Sequence, residues 1–436
     1  MLIRVIYWSL LPLLWLTVWA VALCNTKLRR GMLARRGFRA EFGKAQGRRQ
    51  PQRPLVWVHA ASAGEFLQAE PILKRLRERG AQLAVSLGSV SGLPWLERIG
   101  HWPELVWGGL LPFDFPWNAR LLLRGLRPQA IVHVQAELWP SLVWSAQARG
   151  IPQLLIAART GSGTNYRAHP LLRPFFRSLY WPLSAILCLT EADRDGIARI
   201  VPGHPGLQVA GDPGIETVLA RLREAPPPAL PSGWATPGAP LLVVGSSWPA
   251  DEALLLPALE QAFAAAPDLR VILAPHEPTP PRLRELESAL SAVGTLRLSA
   301  VEGTQTLASP APKVILVDMV GRLASLYSLG NIAYVGGGHT TGVHNVAEPA
   351  ACGLPVLFGP RSGNSAVAGL LLEAGAARIA VNEQELRAAL LELLRDKVRR
   401  RVMGEEARAI VQAQAGAAQR CYEAVVKAVP ELRQGR

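Results

Sequence analysis

This 436-residue sequence predicts two doubly wound, Rossmann-like α/β domains behind an apolar N-terminal helix, and three features predict it. Short apolar runs alternate with amphipathic stretches, the pattern of parallel strands covered by helices. The alternation stops at a proline-rich stretch and then restarts. Ahead of both lies an uncharged apolar segment, Val5 to Cys24, that includes Trp8, Trp15 and Trp19. A chain of this length ordinarily divides into more than one domain.

The apolar segment comes first. Twenty helical residues at about 1.5 Å each reach about 30 Å, the depth of a hydrocarbon core. A cleaved signal peptide would have a shorter apolar core and a small-residue cleavage site before a polar stretch. Here Lys27, Arg29, Arg30, Arg35, Arg36 and Arg39 follow instead. Residues 1–25 therefore read as a membrane anchor and 26–53 as a basic juxtamembrane neck, which holds the rest of the chain on the cytoplasmic side. A helix lying in the interface and a buried core helix stay open as alternatives. The formal net charge is +14, and the neck carries ten Lys/Arg against one acid, Glu41. Its place beside the apolar segment assigns that charge to an anionic membrane surface rather than to nucleic acid. The four cysteines, Cys24, Cys188, Cys352 and Cys421, lie far apart with no C-x-x-C pair, which excludes a disulfide framework and a zinc ribbon. With 49% hydrophobic residues the chain is not a disordered one.

Residues 54–224 form the first domain. Leu55–Ala60, Gln82–Leu87, Ala130–Val134, Gln153–Ala157 and Ala185–Leu189 read as strands, with helical patterns between them at Glu65–Arg79, Pro140–Arg149 and Glu191–Ile200. Residues 225–240 hold six prolines and two glycines, so they read as a linker. In the second domain, 241–436, strands are expected at Leu241–Val244, Arg270–Ala274, Lys313–Asp318, Asn331–Val335 and Pro355–Phe358. Helices are expected at Pro249–Ala265, Gly321–Leu329, Asn345–Cys352 and Ser365–Ala374, then almost continuously from Glu383 to Val429. Two such domains are expected to face each other across a central cleft. Ligands of such sheets bind beyond the carboxyl ends of the strands, so the candidate residues are those just after each strand.

After the first strand comes His59-Ala60-Ala61-Ser62-Ala63-Gly64-Glu65. Ser62 and Gly64 let a substrate approach the backbone, and Glu65 opens the next helix, where a carboxylate suits a general base or merely complements the helix dipole. Gln135-Ala136-Glu137-Leu138-Trp139-Pro140 follows a second strand, with Glu137 placed for a hydroxyl ligand or as an ordinary acid at a helix start. Arg159 follows a third strand and can pair with Glu137 or meet an anion. Beyond it the glycine-rich loop 161–167 leads to Arg167, which with Arg173 is either a contact for an anionic acceptor or solvated charge. In the second half Gly245-Ser246-Ser247 and Pro275-His276-Glu277 follow strands. Gly336-Gly337-Gly338-His339-Thr340-Thr341-Gly342-Val343-His344-Asn345-Val346-Ala347-Glu348 reads as an anion and nucleotide cradle, or as a tight turn before a capped helix. Asn345 and Glu348 share one face of its first turn. It is neither a G-x-G-x-x-G nor a Walker loop, and His339, His344 and Glu348 lack a recognised metal-ligand spacing.

In this order these stretches resemble the Kdo transferases of lipopolysaccharide synthesis. The likeness takes in His59-x-x-Ser62-x-Gly64-Glu65, Ala136-Glu137-Leu138-Trp139-Pro140, Ala158-Arg159, Gly245-Ser246-Ser247, Asp318-x-x-Gly321, Gly336-Gly337, His344-Asn345-x-x-Glu348-Pro349 and Phe358-Gly359-Pro360. The resemblance implies a GT-B glycosyltransferase, anchored at the bacterial inner membrane, that moves Kdo from CMP-Kdo to a lipid A precursor by inversion without an obligatory metal. It implies Glu65 as the base and Glu137 as an acidic residue on the acceptor side, with Ser62, Gly64, Arg159 and Arg167 also on that side. It implies Ser246, Ser247, Pro275, His276, Met319, Gly321, Gly337, Gly338, His344, Asn345 and Glu348 around CMP-Kdo. The chain departs from many relatives in having Pro275-His276-Glu277 in place of Pro-Arg-His, Gly321-Arg322 in place of Gly-Glu, and Trp248 where a His follows the two serines. Arg322 or Arg361 is the expected replacement for the missing cation. A GT-B enzyme using a UDP-sugar and an inactive membrane-tethered binding protein are the rival readings.

Overall fold

The computed structural model describes residues 2–160, 165–224, 230–231, 233–235, 238–301 and 311–433. Contacts divide the chain into two compact units, Met1–Thr217 with Ala415–Arg436, and Val218–Gln414.

In the N-terminal unit three helices, α1 (Leu2–Cys24), α2 (Thr26–Ala34) and α3 (Phe38–Gln46), precede β1 (Leu55–Ala60) and α4 (Ala63–Glu78). The strands β2 (Gln82–Leu87), β3 (Leu105–Leu110), β4 (Ala130–Val134), β5 (Gln153–Ala158), β6 (Ala185–Cys188) and β7 (Leu207–Val209) follow, with helices between most of them. All pair in parallel, in the order β3-β2-β1-β4-β5-β6-β7. Every residue of β1, β2, β4 and β5 is buried, which is why these strands stand out as mostly apolar runs. The apolar face of α3 closes one side of the sheet, with Phe42 packed edge-on against Trp107.

The C-terminal unit repeats the plan. Its strands are β8 (Leu241–Ser247), β9 (Arg270–Pro275), β10 (Thr295–Arg297), β11 (Val314–Leu316), β12 (Ile332–Val335), β13 (Val356–Phe358) and β14 (Ala377–Ile379). They are ordered β10-β11-β9-β8-β12-β13-β14 and again all parallel. The helix Pro249–Ala265 runs as the sequence predicts, and Glu383–Arg395 packs beside it.

Three expectations change. The nearly continuous helix from Glu383 to Val429 is three helices, Glu383–Arg395, Lys397–Ala413 and Ala417–Ala428. Asp396 leaves helical geometry to cap the second, and Gly416, at φ 82°, turns the chain into the third. That last helix does not belong with residues 241–436. It packs on the N-terminal unit: Arg420 donates to the Ala210 carbonyl at 2.8 and 2.9 Å and the Ala418 N–H to Glu216 at 3.1 Å. Residues 225–229, 232, 236 and 237 of the expected linker lie outside the described residues. Trp234 within it is fully buried in the C-terminal core, its indole N–H on the Pro312 carbonyl at 2.7 Å, so a tryptophan pins what the prolines suggested was a free connector.

In each sheet the order of connection reverses once, between β1 and β4 and between β8 and β12. Adjacent loops there leave in opposite directions and open a crevice at the strands' carboxyl ends. The loops carrying Glu65 and Glu137 flank the first crevice. Those carrying Ser246–Trp248 and Gly336–Asn345 flank the second.

Candidate active site

At the first crevice Ala61 and Ser62 join β1 to α4, and the Ser62 hydroxyl caps α4 by accepting from the Glu65 N–H at 3.4 Å. The Glu65 carboxylate folds back over this turn, with Oε2 accepting the Ala61 N–H at 2.6 Å and Oε1 3.4 Å from Ser62 Oγ. These bonds also serve the start of α4, in the manner of a capping box. Glu65 is 9% exposed, and its pKa is pushed up to about 7, chiefly by burial, with the charge of Glu137 adding to the rise against the pull of the Ala61 and Ser62 bonds. Glu137 is held from its own loop by the Trp139 indole N–H at 3.1 Å. A Cβ added at Gly64 would meet only Ser62 Oγ, at 3.9 Å, so the surface beside Glu65 is open.

Behind the carboxylates lies a polar layer that spacing did not reveal. Gln135 sits at φ 59° just after β4, and its amide donates to Gln68 at 2.9 Å; Gln68 in turn donates to Asp212 at 3.0 Å. Among the described non-glycine residues, positive φ occurs at Arg127, Gln135, Ala157 and Ser246. Three of these four stand at the carboxyl ends of strands, strain of about 1–3 kcal/mol each that surrounding contacts must hold. His59 is structural. It is fully buried with Nδ1 2.8 Å from Ser86 Oγ, and burial, helped by the charge of His133, lowers its pKa to about 3.

At the second crevice Trp248 and two histidines from three different loops form a slab. The rings of Trp248 and His276 stack at 4.5 Å and those of His276 and His344 at 4.4 Å, while the Trp248 indole N–H donates to His344 Nε2 at 2.8 Å. That bond makes Nε2 the acceptor and leaves the proton on Nδ1. Burial, reinforced by His276, lowers the His344 pKa to about 4, so the imidazole is neutral, with its proton on Nδ1. The fully buried Asp251 ties the slab to the glycine loop, accepting from the Trp248 N–H at 2.9 Å, the Gly337 N–H at 2.8 Å and the Tyr334 hydroxyl at 3.1 Å.

The glycine loop is a tight turn, with the Thr340 and Gly342 N–H groups both on the Gly337 carbonyl at 3.0 Å. Its glycines are demanded by backbone contact. A Cβ at Gly336 would lie 2.2 Å from the Ser246 carbonyl oxygen, and one at Gly338 2.6 Å from the Gly359 nitrogen. The helix beyond starts at Ala347, two residues later than expected, because the Asn345 side chain accepts from the Ala347 N–H at 3.0 Å. Asn345 also donates to Glu348 at 3.1 Å. Glu348 is buried, and its carboxyl is raised by that burial against the opposing pull of Arg221 and Asn345.

This geometry can be set beside known proteins. A family model described as 3-deoxy-D-manno-octulosonic-acid transferase (kdotransferase) matches residues 35–213. A 3-deoxy-D-manno-octulosonic acid transferase of Bordetella pertussis is 32% identical over 438 residues, covering 96% of each chain. The chain belongs to the Kdo transferase family. One from Haemophilus influenzae is 24% identical, covering 96% of this chain and 97% of the relative. Among solved structures the fold is similar to a UDP-GlcNAc 2-epimerase from Neisseria meningitidis, at TM-score 0.61 and 13% identity over 86% of this chain and all of that one. It is also similar to MurG of Acinetobacter baumannii, at TM-score 0.54 and 17% identity over 86% of this chain and 99% of that one. Two Rossmann-like units with GT-B-like neighbours are what the sequence predicts.

The remaining candidate residues of this Kdo transferase family member divide by what holds them. Arg159 bears on Asp212, whose carboxyl its charge pulls down against burial. Arg167 donates to the Arg159 carbonyl at 3.4 Å and lies over the Tyr166 ring; residues 161–164 of its loop lie outside the described residues. Arg173 reaches the Ile200 carbonyl. Ser246 carries the strained φ of 52° at the end of β8, whereas Ser247 is buried and donates to Glu252 at 2.7 Å, which makes it part of the wall. Pro275 and His276 border a cavity of about 280 Å³ together with Trp248 and Arg282. Arg282 is paired there with Glu252 and Glu285, so a cation does stand beside His276, on a helix seven residues after Pro275. Arg361 instead bonds the Thr340 carbonyl of the glycine loop, and Met319 packs on the core just before Gly321, which has φ 84°. Among the described residues no three His, Cys, Asp or Glu side chains are grouped to hold a metal, so His339, His344 and Glu348 form no such site.

Proposed function

We propose that this protein transfers Kdo from CMP-Kdo to a lipid A precursor with inversion, at the cytoplasmic face of a bacterial inner membrane and with no obligatory metal. The observation that carries the mechanism is Glu65, a buried carboxyl beside an open turn with a proton affinity near neutrality. A general base works best when its pKa lies close to the working pH.

In this reading the N-terminal unit takes the acceptor and the C-terminal unit the donor. The Glu65 carboxylate removes the proton of the acceptor hydroxyl. The hydroxyl oxygen forms a bond to the anomeric carbon from the face opposite CMP, the bond from that carbon to the phosphate oxygen breaks, and CMP leaves with the electron pair. Glu137 orients the acceptor, and its charge keeps Glu65 basic. Neutral His344, with its proton on Nδ1, and the His276 ring present a flat polar surface for the nucleotide. Glu348, steadied by Asn345, suits ribose hydroxyls. The basic neck favours an anionic membrane and a phosphorylated lipid, and no nucleic acid is required.

The test uses full-length protein in detergent, with CMP-Kdo generated in situ, a lipid A precursor and product masses as the readout. Gain of one or more Kdo units, lost in Glu65→Gln while CMP binding persists, is the expected result. Transfer by Glu65→Gln at the wild-type rate removes Glu65 as the base; absence of transfer by the wild type removes the reading.

A further inference from the structure

The helix α1 is long and apolar enough to cross a membrane by length and composition. Its contacts describe something else. One stripe, through Arg4, Tyr7, Trp8, Leu11, Trp15 and Ala22, is covered or half-covered along the whole helix. The opposite face is open, with Leu2 72%, Ile6 50%, Leu10 55%, Leu13 63%, Leu16 57% and Leu23 72% exposed.

Both ends of α1 are fastened to the same unit. At its start the Tyr7 hydroxyl donates to Asp114 at 3.0 Å, the Trp8 indole to Ser141 at 3.1 Å and Arg4 to Gln147 at 2.6 Å, while the Tyr7 ring packs edge-on against Trp144. At its end Val18 and Asn25 line one cavity with Gly88, Phe113 and Trp139, Arg35 of the turn after α2 donates to the Leu111 carbonyl at 2.8 Å, and Arg36 lies over the Trp19 ring. Twenty-three residues at about 1.5 Å extend about 34 Å. A spanning helix would put Arg4 and Asn25 on opposite sides of a hydrocarbon core about 30 Å thick. The unit that holds both cannot stand on both sides.

We propose that α1 does not cross the membrane but lies along a single leaflet, its open apolar face among the acyl chains. Two further features fit a lipid surface. Beside the first turns of α1, where Phe175 packs against Tyr7, the segment 166–181 exposes Leu171 (83%), Leu172 and Trp181, with Arg177 over the Trp181 ring. Beyond the last turn Arg29, Arg30, Arg36 and Arg39 are exposed. An apolar face edged by arginines matches an anionic bilayer, acyl chains below and phosphates at the rim. This inference does not depend on the transfer reaction.

The test places a bimane label on full-length protein in vesicles of phosphatidylethanolamine and phosphatidylglycerol. Cys24 is exposed at the end of α1, and Cys188 and Cys421 are buried. In a Cys352→Ser background the label sits on Cys24, or on Leu2→Cys or Leu13→Cys with Cys24→Ser. Doxyl lipids of graded depth should quench all three positions at one shallow depth. An impermeant thiol reagent should reach Leu2→Cys and Cys24 from the same side of oriented membrane vesicles. A deep Leu13→Cys between two shallow ends, or opposite sidedness of the ends, overturns the proposal. Absence of quenching at all three positions overturns it too, and points to a second copy of the chain covering the face.

Discussion

Glu65 shows how one residue ties stability to pH. Its carboxyl keeps a proton up to about pH 7 in the folded chain, against an ordinary value of 4.5. Between those values the native state binds more protons than the unfolded one, so this residue's contribution declines as pH rises and the loss is complete above about pH 7. Glu65→Gln does not titrate, so its unfolding free energy should exceed the wild type's at pH 8, by on the order of 1–3 kcal/mol, with little difference at pH 4. An identical offset at both pH values would contradict this. Transfer by the wild type should rise through about pH 7 as the carboxylate forms. At the other crevice, Trp248→Phe keeps a ring against His276 and removes the donor to His344. CMP retention should weaken about five-fold, the worth of one hydrogen bond of about 1 kcal/mol, as measured by calorimetric titration.

At the scale of single elements, the glycine loop is fixed by the approach of β12 to β8 and β13. Gly338→Ala would set a methyl against the Gly359 backbone, where no flexible side chain can give way. Overpacking of this kind costs about 1–3 kcal/mol. A lower unfolding midpoint together with poorer CMP binding is expected, and a wild-type value for both would show that the loop tolerates the methyl. Tyr7→Phe removes the hydroxyl that Asp114 accepts; burial already pushes that carboxyl up to about 7, so a loss of about 1–2 kcal/mol is expected in chemical unfolding of the N-terminal unit. What the sequence exposed and what it hid follow from burial. Strands covered on both faces, such as β1 and β4, are mostly apolar runs and are legible. Three-residue edge strands such as β7 and β14, and β3 with its two glycines, give no such run. Glu65 and Glu137 stand out in the sequence as candidates because each lies within five residues of the end of a strand. Asp251 looks like any first-turn acid, and the Trp248–His276–His344 slab joins loops 28 and 68 residues apart, a meeting that only the sheet order produces. The cation beside His276 comes from a helix further along the chain, which no local motif signals.

Over the whole molecule, the two units are not consecutive halves of the chain. Ala417, Ala418, Cys421 and Val425 are fully buried against the N-terminal unit although 197 residues of the other unit intervene. Ending the chain at Gln414 should therefore weaken the distant N-terminal sheet and spare the adjacent C-terminal one. Losing several buried side chains costs on the order of 5 kcal/mol. Hydrogen exchange should quicken in β4 and β5 and stay unchanged in β8 and β9; faster exchange confined to β8 and β9 would reassign the last helix. The order in which the ribosome releases these pieces then matters. The apolar α1 emerges first and its sheet soon after, yet the helix that completes them is made last, once Val218–Gln414 is already out. At about 5–20 residues per second, the N-terminal unit waits tens of seconds with an uncovered flank, long enough for α1 to find the bilayer before its own unit is finished.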